Sequence, residues 1–470
     1  MRRTLRLALL LCALAALAAP AALAAERMWI GFHDDPSFRW ESDRTSLVQS
    51  SAADGASIMR LLVQWNLAAP ERPAIASDPF DPGYRFDDLD EALREAQRAD
   101  MEVMLTISGT PRWASGAGAN RMPRRVSDFT SFARAIASRY SGRFNGYPFV
   151  RFWSVWNEPN LTRFLAPQFN ARGKSLAPAN YAKLYAAAYA GIKAGNPRAL
   201  VAIGETSPRG SDKPGGLRPD HSPGRFAELV AKANPRLKFD AWSHHPYPSR
   251  SSANPSQVVR WPNVTLSSLP RFETELKRWF KKKTVPIWIT EYGHETTPDT
   301  FGVSYATQAA YIREAIAMTK KLPYVGMFIW FVYHDTAGQP WDSGIYTRND
   351  APKGSSPNAF SRAAKPLDAR NAVYTFRRGT LTPSVTLNTR RYCVGDTTGE
   401  AIGMTWRIFI KNRLIAVDQQ TAPLRADCTI TARLRFPRGG VQKGTTYTAT
   451  FALNDINGTV LNRRLTIRAT

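Results

Sequence analysis

The chain predicts an α/β fold: a closed (β/α)8 TIM barrel followed by a small all-β, immunoglobulin-like sandwich. Three observations predict it. Eight apolar, strand-like runs recur between residues 28 and 330 with helix-length segments between them, and such alternation builds a parallel sheet. The runs are apolar almost throughout, as strands covered on both faces must be. Past residue 378 the pattern turns to short alternating runs separated by turn residues. An open doubly wound sheet is the alternative, but no Gly-x-Gly-x-x-Gly follows the first run.

Ahead of the barrel, Arg2, Arg3 and Arg6 precede an apolar run from Leu7 to Leu17, and Ala22-Leu23-Ala24 fits a small-residue cleavage site. Residues 1–24 read as a secretory signal peptide; the run is too short for a membrane span, although a retained anchor is the alternative. The barrel is expected over residues 25–375. Its strands are read as Met28–Phe32, Ser57–Trp65, Glu102–Ile107, Phe149–Trp156, Leu200–Gly204, Phe239–His245, Val285–Thr290 and Tyr324–Trp330. Amphipathic helices are read at Leu89–Ala99, Ser127–Tyr140 with Ser127 as N-cap, Tyr181–Ala194, Arg225–Ala233, Leu269–Lys281 and Tyr305–Lys320.

The sandwich is assigned to residues 380–470, with strands at Val385–Thr389, Met404–Ile410, Leu414–Val417, Thr429–Phe436, Tyr447–Leu453 and Val460–Ile467, and a turn at Asn457-Gly458. Cys12 leaves with the signal. The remaining pair, Cys393 and Cys428, suggests one disulfide in an exported chain. Two cysteines do not make a structural zinc site, and no His/Cys ligand spacing is present, so neither metal nor organic cofactor is expected.

The formal charge is +25, falling to +22 once the three signal arginines are removed. That balance favours anionic surroundings such as wall polymers or acidic polysaccharide. The basic residues are scattered in short groups, at Arg121–Arg125, Lys281–Lys283, Arg377-Arg378 and Arg463-Arg464, and no nucleic-acid motif accompanies them. No later stretch is apolar for long enough to span a membrane, so a secreted or wall-associated protein is expected.

A parallel barrel presents its chemistry at the carboxyl ends of its strands. The Phe149–Trp156 run leads into Asn157-Glu158-Pro159, and the proline is expected to bias Glu158 towards an extended backbone. The Val285–Thr290 run leads into Glu291-Tyr292-Gly293. Arg60, Trp113, Glu205, His244, His245, Tyr247, Trp330 and Tyr333 gather at or near other strand ends.

Two strand-terminal glutamates are the minimum equipment for hydrolysing a glycoside. One carboxylic acid protonates the leaving oxygen. The other faces the oxocarbenium-like carbon, attacking it directly when the carboxyl groups are about 5–5.5 Å apart. Their pKa values must be pushed apart. Arg60 is the cation best placed to keep Glu291 ionised, with Tyr247 donating a hydrogen bond. Glu158 would stay protonated through proximity to that charge and partial burial. Asn157 could meet a sugar 2-hydroxyl, and His245 could orient a carboxylate.

Trp156-Asn157-Glu158-Pro159 with Ile289-Thr290-Glu291-Tyr292-Gly293 resembles the glycoside hydrolase clan A superfamily, with family 39 and family 5-like members the nearest. Thr110-Pro111-Arg112-Trp113-Ala114 and His245-Pro246-Tyr247 are similar to that clan as well. The resemblance covers roughly residues 26–375. It implies a retaining barrel glycosidase in which Glu158 is the acid/base and Glu291 the nucleophile, while Asn157, Arg60, His245, Tyr247 and Trp330 line the sugar site. The loops Thr206–Pro223 and His334–Pro357 match no subfamily.

Blander roles compete with several of these. Arg60 could be a structural cation. His244, opposite in face to His245 by strand alternation, reads as packed. Glu205 reads as a loop carboxylate. Among Trp65, Trp113, Trp330 and Trp341, Trp330 is the favoured sugar platform and Trp113 a candidate. The expected function is a secreted retaining hydrolase of a β-linked oligo- or polysaccharide. The rivals are a non-catalytic carbohydrate-binding barrel and a wall-associated adhesion protein working through its basic surface.

Overall fold

The structure, a computed structural model, describes residues 28–339, 341–364, 369–377, 380–387, 401–411, 413–423, 429–431, 433–435, 442, 444–455 and 458–468. Eight strands close a parallel barrel in chain order: β1 (Trp29–His33), β2 (Ile58–Gln64), β3 (Glu102–Ser108), β4 (Phe152–Val155), β5 (Leu200–Thr206), β6 (Ala241–His244), β7 (Ile287–Tyr292) and β8 (Val325–Phe331). β1 pairs with β8 to close the ring. A helix follows each strand: α1 (Arg44–Ala53), α2 (Asp87–Arg98), α3 (Val126–Arg139), α4 (Ala177–Gly195), α5 (Pro223–Ala233), α6 (Leu269–Phe280), α7 (Tyr305–Lys320) and α8 (Ser356–Ala364).

The six expected helices are present. α1 and α8 were not legible: α1 carries Ser, Gln and Thr over much of its length and buries only Leu47, Val48 and Ser51. The expected cap at Ser127 is not the one used, because α3 begins at Val126 and its N-cap is Arg125. A side-chain cap is made at α7, where Ser304 Oγ accepts from the Thr307 amide at 3.2 Å.

Alternation sorts the strand side chains into two cores. Ile58, Met104, Phe152, Ala202, Ala241, Trp288, Met327 and Ile329 fill the barrel interior. Their chain neighbours, among them Met59, Trp153, Ile203, Trp242, Ile289 and Trp330, pack outward against the helices. Arg60, two residues beyond Ile58, therefore points into the barrel, as do Thr106 beyond Met104 and Ser154 beyond Phe152. The ladder joins the last two, Thr106 Oγ1 and Ser154 Oγ lying 2.8 Å apart.

One extra residue breaks this alternation at Gly326 on β8, opposite Ile287 and Trp288, and near the strand ends on β5 and β7. Ile203 to Thr206 on β5 stands opposite Trp242 to His244 on β6. Ile289 to Tyr292 on β7 stands opposite Phe328 to Trp330 on β8. Each is a bulge with one extra residue, and a bulge re-aims the side chain it carries. Strict alternation from Ala202 and Trp288 would turn Glu205 and Glu291 out towards the helices. The extra residue turns both inward and leaves Tyr292 in the outer core.

After the barrel come two four-stranded antiparallel sheets. One holds Ala369–Arg377, Thr380–Leu387, Thr429–Thr431 and Leu434–Arg435; the other holds Ala401–Ile410, Arg413–Pro423, Thr446–Asp455 and Gly458–Arg468. Ala369–Arg377, absent from the sequence expectation, pairs along Thr380–Leu387. Met404, Trp406, Ile408, Tyr447, Ala449 and Phe451 are buried there. The proposed Cys393–Cys428 disulfide, the signal segment 1–24 and Asn457 lie outside the described residues. Among the described residues no helix is long and apolar enough to cross a membrane.

Candidate active site

Glu158 arrives on a turn that β4 cannot form with ordinary backbone. Trp156 and Glu158 have φ of 74° and 41°, both in the left-handed region. This corrects the extended backbone expected before Pro159. The turn is fixed by hydrogen bonds that outweigh the pre-proline preference. The Trp156 amide donates to the Ile107 carbonyl at 2.7 Å and the Glu158 amide to the Glu205 carbonyl at 2.8 Å. The first left-handed residue leaves Trp156 in the outer core behind Val155. Strain of this kind costs about 1–3 kcal/mol per residue and collects at functional sites. Asn160 anchors the turn from behind, its Oδ1 accepting from the Ser207 amide at 2.8 Å and its Nδ2 donating to the His221 carbonyl at 2.9 Å.

Glu205 also sits at positive φ, 47°, next to Gly204 at 119°. Ser243 Oγ accepts the Glu205 amide at 2.9 Å, and the Tyr181 hydroxyl accepts the Gly204 amide at 2.8 Å while donating to the Val155 carbonyl at 2.9 Å. The side chain is fully buried. Glu205 is therefore no loop carboxylate, contrary to the sequence reading.

Arg60 ties the carboxylates together from the barrel floor. Its Nη1 donates to Glu291 Oε1 at 2.8 Å and its Nη2 to Glu205 Oε2 at 3.0 Å. Nη2 also reaches Asn157 Oδ1 at 3.3 Å, and Nε donates to Thr106 Oγ1 at 3.0 Å. Tyr247 donates to Glu291 Oε2 at 3.1 Å. His245 places Nδ1 3.1 Å from Glu158 Oε1 and 3.4 Å from Glu291 Oε2, with Nε2 2.8 Å from Glu205 Oε2. One carboxylate oxygen of Glu158, one of Glu291 and a ring nitrogen of His245 all lie within 4.8 Å of one another.

The charges follow from this geometry. Burial pushes the His245 pKa down, but Glu291, Glu158 and Glu205 outweigh it and raise it to about 10. The ring then carries protons on both nitrogens and donates from each, Nδ1 towards Glu158 and Glu291 and Nε2 to Glu205. Burial pushes Glu291 up, and His245, Arg60 and His33 overcome it, holding the carboxyl well below the usual range. Glu205, buried but facing Arg60 and His245, is lowered to about 2. Burial and the Glu291 charge keep the Tyr247 hydroxyl protonated and able to donate.

Sequence reasoning thus brought Glu158, Glu291, Asn157, Arg60, His245 and Tyr247 to one place. His244 packs outward as alternation required, with Nε2 3.1 Å from the Val264 carbonyl.

The two tryptophans are a different matter. Trp330 is fully buried, its indole donating to the Ser343 carbonyl at 2.9 Å. It lies on the helix side of β8, so it is no sugar platform. Its neighbour Phe331, two residues beyond the interior Ile329, faces the site, with its ring centroid 5.1 Å from that of His33. Trp341, in the loop after β8, packs its ring 5.5 Å from Tyr247 and 6.4 Å from Phe331. Trp113 packs edge-on against Trp65 and donates to the Ala69 carbonyl at 2.9 Å, away from the carboxylates.

His33 was missed altogether. Its Nδ1 is 3.3 Å from Glu291 Oε1 and its Nε2 3.0 Å from Asp35 Oδ2. The carboxyl end of β1 carried that signal, by the same rule that found Arg60. Thr290, whose hydroxyl donates to Glu205 Oε2 at 3.0 Å, was also missed.

Comparison with solved structures gives the fold independently. The chain is 13% identical to a glucosidase from Croceicoccus marinus, with a TM-score of 0.56 over 91% of this chain and 96% of that one. It is 14% identical to a family 39 glycoside hydrolase from Bacteroides cellulosilyticus, with a TM-score of 0.53 over 88% and 81%. It is 15% identical to a monomeric beta-xylosidase from Caulobacter crescentus, with a TM-score of 0.52 over 87% and 96%. No curated protein matches the sequence. The profile of cellulase (glycosyl hydrolase family 5) matches residues 24–333, more than half of the chain. With the profile spanning every barrel strand and both glutamates, the chain belongs to glycosyl hydrolase family 5, a glycoside hydrolase acting on O-glycosyl bonds.

Proposed function

We propose that the chain is an exported, retaining glycosidase that cleaves a β-linked oligo- or polysaccharide by double displacement, with Glu291 as nucleophile and Glu158 as acid/base. The observation that carries this is the approach of the two carboxylates to within 4.8 Å, with Arg60 and Tyr247 bonded to Glu291 and not to Glu158. Retaining enzymes keep the two groups about 5–5.5 Å apart, too close for a water to attack from between them.

In the first step a Glu291 oxygen attacks the anomeric carbon. The glycosidic bond breaks, and its electron pair leaves on the oxygen that takes the Glu158 proton. A glycosyl ester forms on Glu291. In the second step Glu158 removes a proton from water, the water oxygen bonds to the anomeric carbon, and the Glu291 carboxylate departs. Arg60 and Tyr247 each hold one Glu291 oxygen, so the nucleophile is ionised and oriented before substrate arrives. His245 spans the acid/base and the nucleophile and couples them to Glu205. Phe331 and Trp341 offer flat apolar faces of the kind that pyranose rings stack on.

Nuclear magnetic resonance of the first sugar released from aryl glycosides of both anomers tests the reading. The product should carry the configuration of the substrate, and an inverted product would exclude double displacement. Export is supported by the Arg2–Ala24 sequence and is tested by N-terminal sequencing of the protein recovered outside the cell.

A further inference from the structure

Besides the carboxylate cluster, two recesses on the strand-end face differ in electrical character. The larger, about 270 Å³, is bordered by Asp35, Asp88, Arg39 and Arg85, so its charges cancel. Arg39 bonds Asp35 at 2.9 Å and Asp88 at 2.7 Å. The smaller, about 120 Å³, adjoins Asn157 and is lined by Gln64, Asn66, Ser108, Asn120 and Arg163 among its polar groups, with no carboxylate.

The walls of the smaller recess are fixed. The loops after β3 and β4 are bonded to each other, the Ala166 amide to the Asn120 carbonyl at 2.8 Å and Asn120 Nδ2 to the Thr162 carbonyl at 3.2 Å. The Thr162 amide is held by Asp220 Oδ1 at 2.7 Å, which sets the residue before Arg163. These two loops contain no Asp or Glu from residue 103 to 127 or from 159 to 176, yet carry Arg112, Arg121, Arg124, Arg125, Arg163, Arg172 and Lys174, all exposed. Among the described residues only Arg125, 4.0 Å from Asp128, has a carboxylate within ion-pair distance. An exposed guanidinium beside the reacting centre, ringed by carboxamides and hydroxyls and unmatched by acid, is built to be met by an anion from outside.

We propose that this recess is a binding subsite for an acidic sugar unit, and that the substrate is a carboxylate-bearing, uronic-acid-containing glycan held through Arg163. The proposal rests on the glycosidase reading above and narrows its substrate. The net charge of +25, or +22 without residues 1–24, acts in the same direction, drawing a polyanionic chain to the surface. Arg163 supplies a planar fork to a sugar carboxylate, and Asn66, Asn120 and Ser108 can meet the ring hydroxyls. Neutral chains offer the guanidinium, which lies 5.5 Å over the Phe164 ring, no counter-charge.

The test is calorimetric titration of the full chain at low salt with a β-linked glucuronate tetrasaccharide and with its carboxyl-reduced glucose counterpart. The acidic ligand should bind about tenfold more tightly, the effect of one charge-assisted hydrogen bond. Arg163→Gln should bring the two affinities together. Arg313→Gln, which removes the same charge from an exposed position on α7, should leave the preference as it was. Equal affinities in the parent, no measurable binding of the uronate, or a preference that survives Arg163→Gln would overturn the proposal. Absence of hydrolysis on every aryl glycoside would instead count against the glycosidase reading, so the two failures are distinguishable.

Discussion

His245 Nε2 and Glu205 Oε2 face each other at 2.8 Å, buried and out of reach of substrate. Glu205 is thus the counter-charge that lets an imidazolium and the Arg60 guanidinium share the barrel floor. Glu205→Ala should cost about 3–5 kcal/mol of stability, because it strips one partner from a buried charge network. It should also lower the His245 pKa and move the alkaline limb of the activity profile to lower pH. Urea denaturation and a pH–rate profile check both; a variant as stable as its parent would refute the counter-charge role.

Stability should depend on pH in a defined direction. The His245 pKa rises from its ordinary 6.5 to about 10 on folding. The folded chain therefore keeps a proton that the unfolded chain has released, and raising the pH favours unfolding. This contribution is complete below about pH 6.5 and is lost as the pH climbs through about 10. Glu205 is lowered from 4.5 to about 2, so its contribution is complete above about pH 4.5 and is lost as the pH falls through about 2. Denaturation midpoints measured across this range should decline on both sides, and His245→Gln should flatten the alkaline decline.

The two glutamates should separate by leaving group. Glu291→Ala should lose about 10⁴-fold or more in kcat, with azide restoring turnover as a product of opposite anomeric configuration. Glu158→Ala should slow poor leaving groups by about 10²–10⁴-fold and activated aryl groups far less. Parent-like rates in both variants would remove the assignment.

Gly204 cannot carry a side chain. A Cβ there would stand 2.6 Å from the Ser243 carbonyl oxygen and from the Trp242 ring, at a φ of 119°. Gly204→Ala should destabilise the chain by about 1–3 kcal/mol from backbone strain alone and reduce kcat by displacing Glu205. Unchanged kcat in a destabilised variant would show that Glu205 does not depend on this bulge.

The aromatic pair on β8 should divide cleanly. Trp330→Ala should destabilise by about 3–5 kcal/mol, as truncation of a buried aromatic does. Phe331→Ala should keep most of the stability and raise KM for oligosaccharides. A raised KM at unchanged stability in Trp330→Ala would reverse the assignment.

What the sequence disclosed follows from which signals are local. Strand-end polarity and hydrophobic runs located Arg60, Asn157, Glu158, His245, Tyr247 and Glu291, because those depend on nearby residues alone. Trp330 was misplaced by one position, since an apolar run such as Val325–Phe331 gives no hint of which face is inward. Glu205 was discounted for a related reason. The extra residue that turns it inward exists only in the pairing of β5 with β6, which no reading of β5 by itself contains. The left-handed turn at Glu158 was hidden in the same way, being imposed by an amide-to-carbonyl bond to a strand 47 residues further on.

The extra residues on β5 and β7 set the mutational tolerance of the barrel. An acid seated by a miscount between two ladders cannot be moved by degrees: deleting one residue upstream within the strand would flip it to the far side of the wall. Length changes at those two strands are therefore all-or-nothing events, whereas the connecting segments on the same rim are free to grow or shrink as the diet of the enzyme changes.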